Sequence, residues 1–302
     1  MGTPAFAVPT LDALARGSEL CAVVAQPDRP SGRGQAMHSP PTADWARAHG
    51  VEILQPQRAR DEAFIARLRE LAPDLIVVAA YGKILPKALL ELPRLGCVNV
   101  HASLLPRYRG AAPIQWAIAR GEGETGVTLM QMAEGLDTGP MLAQARAPIA
   151  PDDTGGSLTA KLAELGGELL AQNLPALLER RLVAVPQNDA LATLAPKLVR
   201  EDAVLDLTLP ARELHDHVRA FQPWPGATLK LPSGKMLKAI ETERVDGEGF
   251  PGTVLAAGRE GITLATGAGA LRLLEVQPEG KRPMRAADFL LGHPLLSGTV
   301  LG

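Results

Sequence analysis

The first 182 residues alternate between short apolar runs and longer segments in which apolar positions recur every three or four residues. The apolar runs predict strands at 20–25, 51–54, 75–80, 97–101 and 127–132. The segments with helical spacing predict helices at 9–16, 41–49, 60–71, 113–120 and 157–181. Such alternation is typical of right-handed β-α-β units. We therefore expect residues 1–182 to form an α/β domain with a doubly wound, mostly parallel sheet.

The pattern changes after residue 182. Residues 183–202 have mixed composition and no clear period, which predicts a linker. A helical pattern covers 210–220, and short apolar runs separated by Gly, Pro and Asp follow at 228–231, 236–243, 252–257, 261–265 and 270–276. Short strands joined by such turns are typical of a small β-barrel. We expect residues 203–302 to form this second domain.

Composition is that of a two-domain protein with a core in each domain. The chain has 302 residues, of which 46% are hydrophobic. No apolar run approaches the roughly 18–20 residues that a membrane-spanning helix needs. Cys21 and Cys97 lie in apolar runs without partners at metal-ligand spacing, so we expect buried thiols, no metal and a reducing, cytoplasmic environment. We expect a monomer.

Net charge does not indicate a nucleic-acid partner. Residues 1–182 contain 18 Lys and Arg against 19 Asp and Glu, and residues 183–302 contain 13 against 14. Nucleic-acid-binding domains are typically basic. A nucleic acid would therefore have to contact local clusters, of which the sequence offers Arg29 with Arg33, Arg107 with Arg109, and Lys281 with Arg282 and Arg285.

The candidate chemistry lies at the ends of two predicted strands. Asn99 and His101 alternate with apolar residues, so their side chains point to one side of strand 97–101. Asp137 follows strand 127–132, between two glycines. An amide and an imidazole can stabilise a carbonyl oxygen that becomes an oxyanion, while a carboxylate orients the imidazole and favours its protonated form. The three residues therefore suit acyl transfer.

Simpler interpretations exist for each of these residues. An Asn-x-His pair at a strand end commonly caps a loop, and Asp before Thr-Gly commonly forms a turn. The turn Gly32-Arg33-Gly34 neither follows a strand directly nor opens a helix, and no complete P-loop is found. A nucleotide-dependent oxidoreductase would thus rest on the α/β layout alone.

Longer stretches resemble a known family. Residues 99–106, Asn-Val-His-Ala-Ser-Leu-Leu-Pro, together with Asp137, resemble the signature of folate-dependent formyltransferases. Other stretches are similar to the members of that family that act on tRNA: 2–4, 6–9, 26–30, 32–34, 81–82, 84–86, 109–115, 124–128, 219–221 and 223–225. The resemblance spans nearly the whole chain and both predicted domains.

This resemblance implies a reaction. It implies transfer of a formyl group from 10-formyltetrahydrofolate to the amino group of methionine on initiator tRNA, for translation initiation. Asn99, His101 and Asp137 would be catalytic. The first domain would be Rossmann-like, and the second would be an OB-like barrel that binds tRNA.

The resemblance also implies binding residues. The folate would contact Tyr81, Gly82, Ile84, Leu85, Ser103, Leu104, Leu105 and Pro106. The tRNA would contact Arg29, Arg33 and Lys197, with Arg33 at the tip of a loop over 29–40 whose composition is that of a flexible surface segment. Gln35 and Ala36 stand where the family has lysines, which weakens the expected contact.

Two other functions remain open. A formyltransferase acting on a small amine, such as a nucleotide or amino-sugar precursor, would share the three catalytic residues without needing the second domain. An RNA-binding protein without enzymatic activity would use the barrel, but Phe221, Trp224, Phe250 and Phe289 are few aromatics for stacking bases.

The position of Gly2-Thr3-Pro4 raises one further expectation. In the family this turn follows a first apolar strand, which here has no counterpart. The first strand of a doubly wound sheet lies in its interior. We therefore expect several apolar residues to precede this turn in the native protein; if they do not, another segment must fill the centre of the sheet.

Overall fold

The structure is a computed structural model that describes residues 1–31 and 36–302. Its contacts divide the chain into two compact units. Unit 1 comprises Met1–Pro113, Glu124–Pro148 and Thr159–Pro196, and unit 2 comprises Ile114–Gly123, Ile149–Leu158 and Lys197–Gly302.

The helices lie close to the predicted positions. They are α1 (Val8–Gly17), α2 (Pro41–Ala48), α3 (Glu62–Leu71), α4 (Lys87–Leu90), α5 (Pro113–Ala119), α6 (Gly155–Leu178), α7 (Ala211–Ala220) and α8 (Ala286–Gly292). Helix α3 illustrates why the spacing was informative, since its buried residues Phe64, Ile65 and Leu68 share one face. The short helices α4 and α8 were not predicted, because so few residues show no clear period.

The strands of unit 1 form mixed sheets. They are β1 (Val23–Val24), β2 (Arg29–Ser31), β3 (Ala36–His38), β4 (Ile53–Leu54), β5 (Ile76–Val78), β6 (Cys97–His101), β7 (Arg109–Gly110), β8 (Glu124–Gln131), β9 (Met141–Pro148) and β10 (Leu194–Ala195). One sheet has the order β5-β6-β8-β9, and β1 pairs with β4 in parallel. Leu68, Tyr81 and Leu89 belong to a core that packs against this region.

The prediction of a mostly parallel sheet is wrong for the β5-β6-β8-β9 sheet. Only β5 and β6 are parallel there, while β6 with β8 and β8 with β9 are antiparallel. A parallel return from β6 to β8 would need a helix that runs back along the sheet. Helix α5 has seven residues and spans only about 10 Å at 1.5 Å per residue. Strand β9, in which apolar and polar residues mix, was not predicted.

Residues Met1 and Gly2 lie between β1 and β5. The Gly2 N–H donates to the carbonyl of Val24 at 2.9 Å, and the Ala79 N–H donates to the carbonyl of Met1 at 2.9 Å. Gly2 and Ala79 form a parallel bridge. Backbone groups on both flanking segments are therefore paired at this position.

Two segments contain more structure than predicted. Within the predicted linker, Val185 pairs with Met141, and β10 pairs in parallel with β7. Within the predicted loop over 29–40, β2 and β3 pair in an antiparallel arrangement, with Arg29 opposite His38. These pairs involve strands of two or three residues, which carry too little periodicity to be recognised.

Unit 2 is dominated by antiparallel strands. They are β11 (Ala227–Lys230), β12 (Met236–Val245), β13 (Val254–Gly258), β14 (Gly261–Ala265), β15 (Ala270–Pro278) and β16 (Met284–Arg285). Their order is β11-β12-β15-β14-β13, with β16 paired to β15. Leu214 and Val218 of α7 and Phe289 of α8 belong to the same buried core as side chains from β11 to β15. The predicted strand-rich second domain is confirmed at this level.

The two cysteines differ in their surroundings. Cys97 is buried at the start of β6, and burial raises the pKa of its thiol to about 12. Cys21 is exposed, so the expectation that both thiols are buried is wrong for Cys21. In the part of the chain that the structure describes, no helix is both long and apolar enough to cross a membrane.

Candidate active site

Strand β6 places Asn99 and His101 on the same side of the sheet. The two residues are separated by one position, and the intervening Val100 points to the opposite side. Asn99 lies opposite Met130 of β8, and His101 lies opposite Thr128. The sequence-based assignment of these two side chains to one side of the strand agrees with this register.

Asp137 lies next to His101. Its Oδ2 is 3.7 Å from His101 Nδ1, and the two side chains are only 15% and 6% exposed. The same carboxylate oxygen accepts a hydrogen bond from the Gly110 N–H at 2.9 Å. The structure thus brings together an imidazole and a carboxylate that are 36 positions apart in the sequence.

The contact of His101 Nε2 with the protein determines which ring nitrogen carries the hydrogen. His101 Nε2 lies 3.0 Å from the carbonyl oxygen of Tyr108. A carbonyl oxygen can only accept, so Nε2 carries the hydrogen in this contact. Nδ1 is then the nitrogen that faces Asp137. Tyr108, which has a φ of +61°, was not among the predicted site residues.

The amide of Asn99 is available for a ligand. The residue is half-buried, and within residues 1–31 and 36–302 its side chain forms no hydrogen bond with the protein. A side-chain amide offers two N–H donors. Asn99 can therefore donate to an oxygen that develops negative charge beside it.

The loop after β6 is held by polar side chains from β8 and β9. Thr128 Oγ1 donates to the Ser103 carbonyl at 2.7 Å and accepts from the Leu105 N–H at 3.1 Å. Gln144 Nε2 donates to the Leu105 carbonyl at 2.9 Å. The sequence analysis did not predict Thr128 or Gln144. A polar threonine inside the apolar run of strand β8 was a signal that could have identified Thr128.

The side chains of this loop are largely turned inward. The Ser103 hydroxyl is buried and donates to the Arg107 carbonyl at 2.7 Å. Leu105 is buried, while Leu104 and Pro106 are half-buried. The hydroxyl of Ser103 thus fixes the loop through the Arg107 carbonyl.

The loop after β5 presents one apolar side chain to solvent. Ile84 is 90% exposed, whereas Tyr81 and Leu85 are buried. Gly82 has a φ of +76°, and Gln26 Nε2 donates to the Tyr81 carbonyl at 2.9 Å. Burial raises the pKa of the Tyr81 hydroxyl to about 12.

An open groove of about 470 Å³ borders this loop, with Arg58, Lys83, Ile84 and Pro86 among its lining residues. Lys83 Nζ donates to the carbonyls of Pro56 and Gln57. Partial burial and the positive charge of Arg29 lower the pKa of Lys83. The groove is therefore apolar at Ile84 and positively charged around it.

The predicted tRNA contacts lie in different parts of the chain. Arg29 is exposed in β2 of unit 1, and Lys197 is exposed in unit 2. Arg33 lies outside the described residues. Across the described part of the chain, no group of three His, Cys, Asp or Glu side chains is placed to hold a metal ion.

Solved structures share the fold. The sugar 3N-formyltransferase WlaRD, solved with dTDP and 5-N-formyl-THF, matches with a TM-score of 0.68 and 18% identity over 93% of this chain and 97% of that chain. HypX from Aquifex aeolicus, solved with tetrahydrofolic acid, matches with a TM-score of 0.59 and 21% identity over 81% of this chain and 43% of HypX. At these identities the likeness is one of fold.

Comparisons of sequence identify the family as well as the fold. The formyl transferase family model matches residues 1–174, and the model of the formyl transferase C-terminal domain matches residues 197–294. The methionyl-tRNA formyltransferase of Myxococcus xanthus is 56% identical over 99% of this chain and 96% of its own length. That of Pelobacter propionicus is 52% identical over 100% and 95%. With both family domains and full-length similarity in place, the chain belongs to the formyltransferase family, among the methionyl-tRNA formyltransferases.

Proposed function

We propose that this protein transfers the formyl group of 10-formyltetrahydrofolate to the amino group of methionyl-tRNA. The observation that carries the proposal is the site at the end of β6. There the amide of Asn99, which makes no hydrogen bond within the described part of the chain, shares a side of the strand with His101, next to Asp137. Full-length similarity to methionyl-tRNA formyltransferases supports this choice of acceptor.

The reaction requires attack of an uncharged amine on the formyl carbon. A bond forms between the amine nitrogen and that carbon, and the bond from the carbon to the folate nitrogen breaks. The amine loses one proton, and the folate nitrogen gains one. Negative charge develops on the formyl oxygen between these events, so a hydrogen-bond donor at that oxygen lowers the barrier.

Asn99 supplies this donor, and His101 and Asp137 take part in removing the proton from the amine. The Nε2 hydrogen of His101 is held by the Tyr108 carbonyl at 3.0 Å, so it must leave that carbonyl before it can reach the formyl oxygen. Asp137, directly or through a water molecule, accepts the proton that the amine loses. A nucleophilic side chain is unnecessary, because the acceptor amine is the nucleophile.

The folate contacts Tyr81, Gly82, Ile84 and Leu85 on one side and residues 103–106 on the other. A pterin ring needs flat apolar surfaces and hydrogen bonds at its edge. The exposed Ile84 supplies apolar surface, and the backbone around Gly82, with its positive φ, supplies polar groups. HypX, which shares the fold, was solved with tetrahydrofolic acid, and this supports a folate as the cosubstrate.

The tRNA contacts Arg29, Arg33 and Lys197, whose charges suit phosphate oxygens. Residues 203–302 form an OB-like barrel, a proposal supported by five successive antiparallel strands in one sheet. The domains extend over 1–182 and 203–302, with residues 183–202 between them. The protein acts as a monomer in the cytoplasm, where tRNA is aminoacylated and used.

The test offers the purified chain 10-formyltetrahydrofolate with methionyl-tRNA or with a nucleotide-linked amino sugar. We expect alkaline hydrolysis of the tRNA product to release formylmethionine, and we expect no formylated sugar. The Asp137→Asn variant is the control, and we expect its turnover to be strongly reduced but still measurable. Formylation of the sugar alone, or of neither acceptor, would overturn the proposal.

A further inference from the structure

The segment between α6 and β10 carries a side chain that contacts the loop of Asp137. Gln187 Nε2 donates to the main-chain oxygens of Asp137 and Gly139, both at 2.7 Å. Gln187 Oε1 accepts from Nε and Nη2 of Arg109, at 3.0 and 2.8 Å. Both donors and the acceptor of this amide are therefore used.

Arg109 provides a firm anchor for Gln187. Its side chain is buried in β7, and its N–H donates to the Thr193 carbonyl at 2.8 Å. The next residue along β7, Gly110, donates its N–H to the carboxylate of Asp137. Two successive residues of β7 thus hold Asp137. Gly110 binds its carboxylate directly, and Arg109 binds Gln187, which in turn binds the main-chain oxygen of Asp137.

Asp137 needs such support because of its backbone and its surroundings. Its φ of +51° lies in the left-handed region, which an aspartate adopts at a cost. The preceding Leu136 is largely exposed, so apolar burial does not fix that side of the turn. Hydrogen bonds from one amide to the carbonyls of Asp137 and Gly139 span the turn and set its shape.

We propose that Gln187 is a positioning residue for formyl transfer, which sets the distance between the Asp137 carboxylate and His101. The inference rests on the proposed function, since it assigns Asp137 a part in proton transfer. The present Oδ2–Nδ1 distance of 3.7 Å is slightly longer than a hydrogen bond. A small displacement of the turn therefore decides whether the pair engages.

Two substitutions separate positioning from binding. Gln187→Glu keeps an acceptor for Arg109 but replaces the donor with an oxygen that faces two carbonyls. Gln187→Met keeps the length of the side chain and removes its hydrogen bonds. We expect both to lower kcat by about 10- to 100-fold, the effect of misplacing a catalytic group by about 1 Å. The KM values for folate and tRNA should stay within about twofold, because Gln187 is not among the residues proposed to contact either substrate.

Asp189→Asn is the matched control. Asp189 lies on the same segment and binds the same Arg109, at 2.7 Å, but its side chain is 81% exposed and does not contact the Asp137 loop. The asparagine keeps an oxygen for Arg109. We expect its kcat to stay within about twofold of the unmodified protein. A loss equal to that of Gln187→Met would show that Arg109, and not the turn, accounts for the effect.

A double-variant cycle tests whether Gln187 acts through Asp137. If it does, Gln187→Met should cause no further loss in an Asp137→Asn background. Three outcomes would each overturn the inference. They are losses that multiply in the double variant, KM values that rise as kcat falls, and a folded Gln187→Glu protein with normal turnover.

A second readout does not depend on catalysis. The ring resonances of His101 in NMR spectra of the full chain should shift in Gln187→Met and stay in place in Asp189→Asn. Unchanged resonances in Gln187→Met would overturn the positioning role even in an inactive protein. Failure of the unmodified chain to formylate methionyl-tRNA would overturn the proposed function alone.

Discussion

Gly110 lies so close to Ala195 that a β-carbon on Gly110 would be 2.4 Å from the Ala195 carbonyl oxygen. Gly110 also has a φ of +127°, which side-chain-bearing residues rarely adopt. Since its N–H holds Asp137, this contact joins the β7–β10 pair to the active site.

Gly110→Ala should therefore reduce both stability and turnover. We expect a loss of about 1–3 kcal/mol of unfolding free energy from backbone strain, and at least a tenfold lower kcat because Asp137 loses its position. Urea unfolding and steady-state kinetics measure the two effects. Gly123→Ala is the control, because a β-carbon there meets no atom within 4 Å; equal effects in both variants would contradict the explanation.

Asn99→Ala should remove the donor to the developing oxyanion. We expect kcat to fall by about 10²–10³ with the fold intact, the usual effect of losing such a donor. Asn173→Ala removes an asparagine whose amide donates to the Leu169 carbonyl within α6, and it should keep normal turnover. A folded Asn99→Ala protein with near-normal kcat would refute the mechanism.

His101→Ala and Asp137→Ala should each lose most activity while remaining folded. The two side chains act as a pair, so the double variant should be little worse than either single one. Circular dichroism and single-turnover formylation measure fold and chemistry separately. Independent, multiplying losses would show that the pair does not work as a unit.

Stability of the protein should fall as the pH drops below about 6.5. Burial of His215 and His217 lowers the pKa of each imidazole in the folded state, and the pull of neighbouring Asp216 and Asp202 does not outweigh this. The unfolded state then binds more protons below the unperturbed pKa of 6.5, so the unfolding free energy decreases with falling pH until the folded-state pKa is passed. Each histidine contributes at most about 1.4 kcal/mol per pH unit.

Urea unfolding at pH 7.5, 6.5 and 5.5 measures this decrease. His217→Leu should weaken the pH dependence, because His217 Nε2 is buried and has no hydrogen-bond partner among residues 1–31 and 36–302. His38→Gln, at an exposed position, is the control and should leave the dependence unchanged. An equally steep decrease in His217→Leu would exclude this histidine as a cause.

Arg33→Ala and Lys197→Ala should weaken use of tRNA and spare folate. If each side chain contacts one phosphate, the slope of log K against log salt should become shallower by about 1 in each variant. Arg181→Ala, which removes an exposed arginine paired with Glu179, serves as the control. Loss of folate affinity in Arg33→Ala would show that its loop serves the folate pocket instead.

Local signals were sufficient for much of the fold and for part of the site. Strand β6 and the orientation of Asn99 and His101 followed from alternation over five residues, because side-chain direction in a strand depends only on position parity. Asp137 was singled out by its position between two glycines after an apolar strand, and the family resemblance supported that choice. Its contact with His101 could not be derived from spacing, since a turn and two strand pairings separate them.

By itself, the sequence determined which residues form most helices and strands and where the strand-rich second half begins, and it pointed to Asn99, His101 and Asp137 as the side chains proposed for the chemistry. The tertiary structure alone decided that β6, β8 and β9 run antiparallel and that Gln187 supports the turn of Asp137. The physical reason is the separation along the chain between the groups that interact. Periodicity reports contacts within one element. The pairing of β6, β8 and β9 and the Gln187 hydrogen bonds join groups up to 78 residues apart, and their pairing depends on how the whole chain packs.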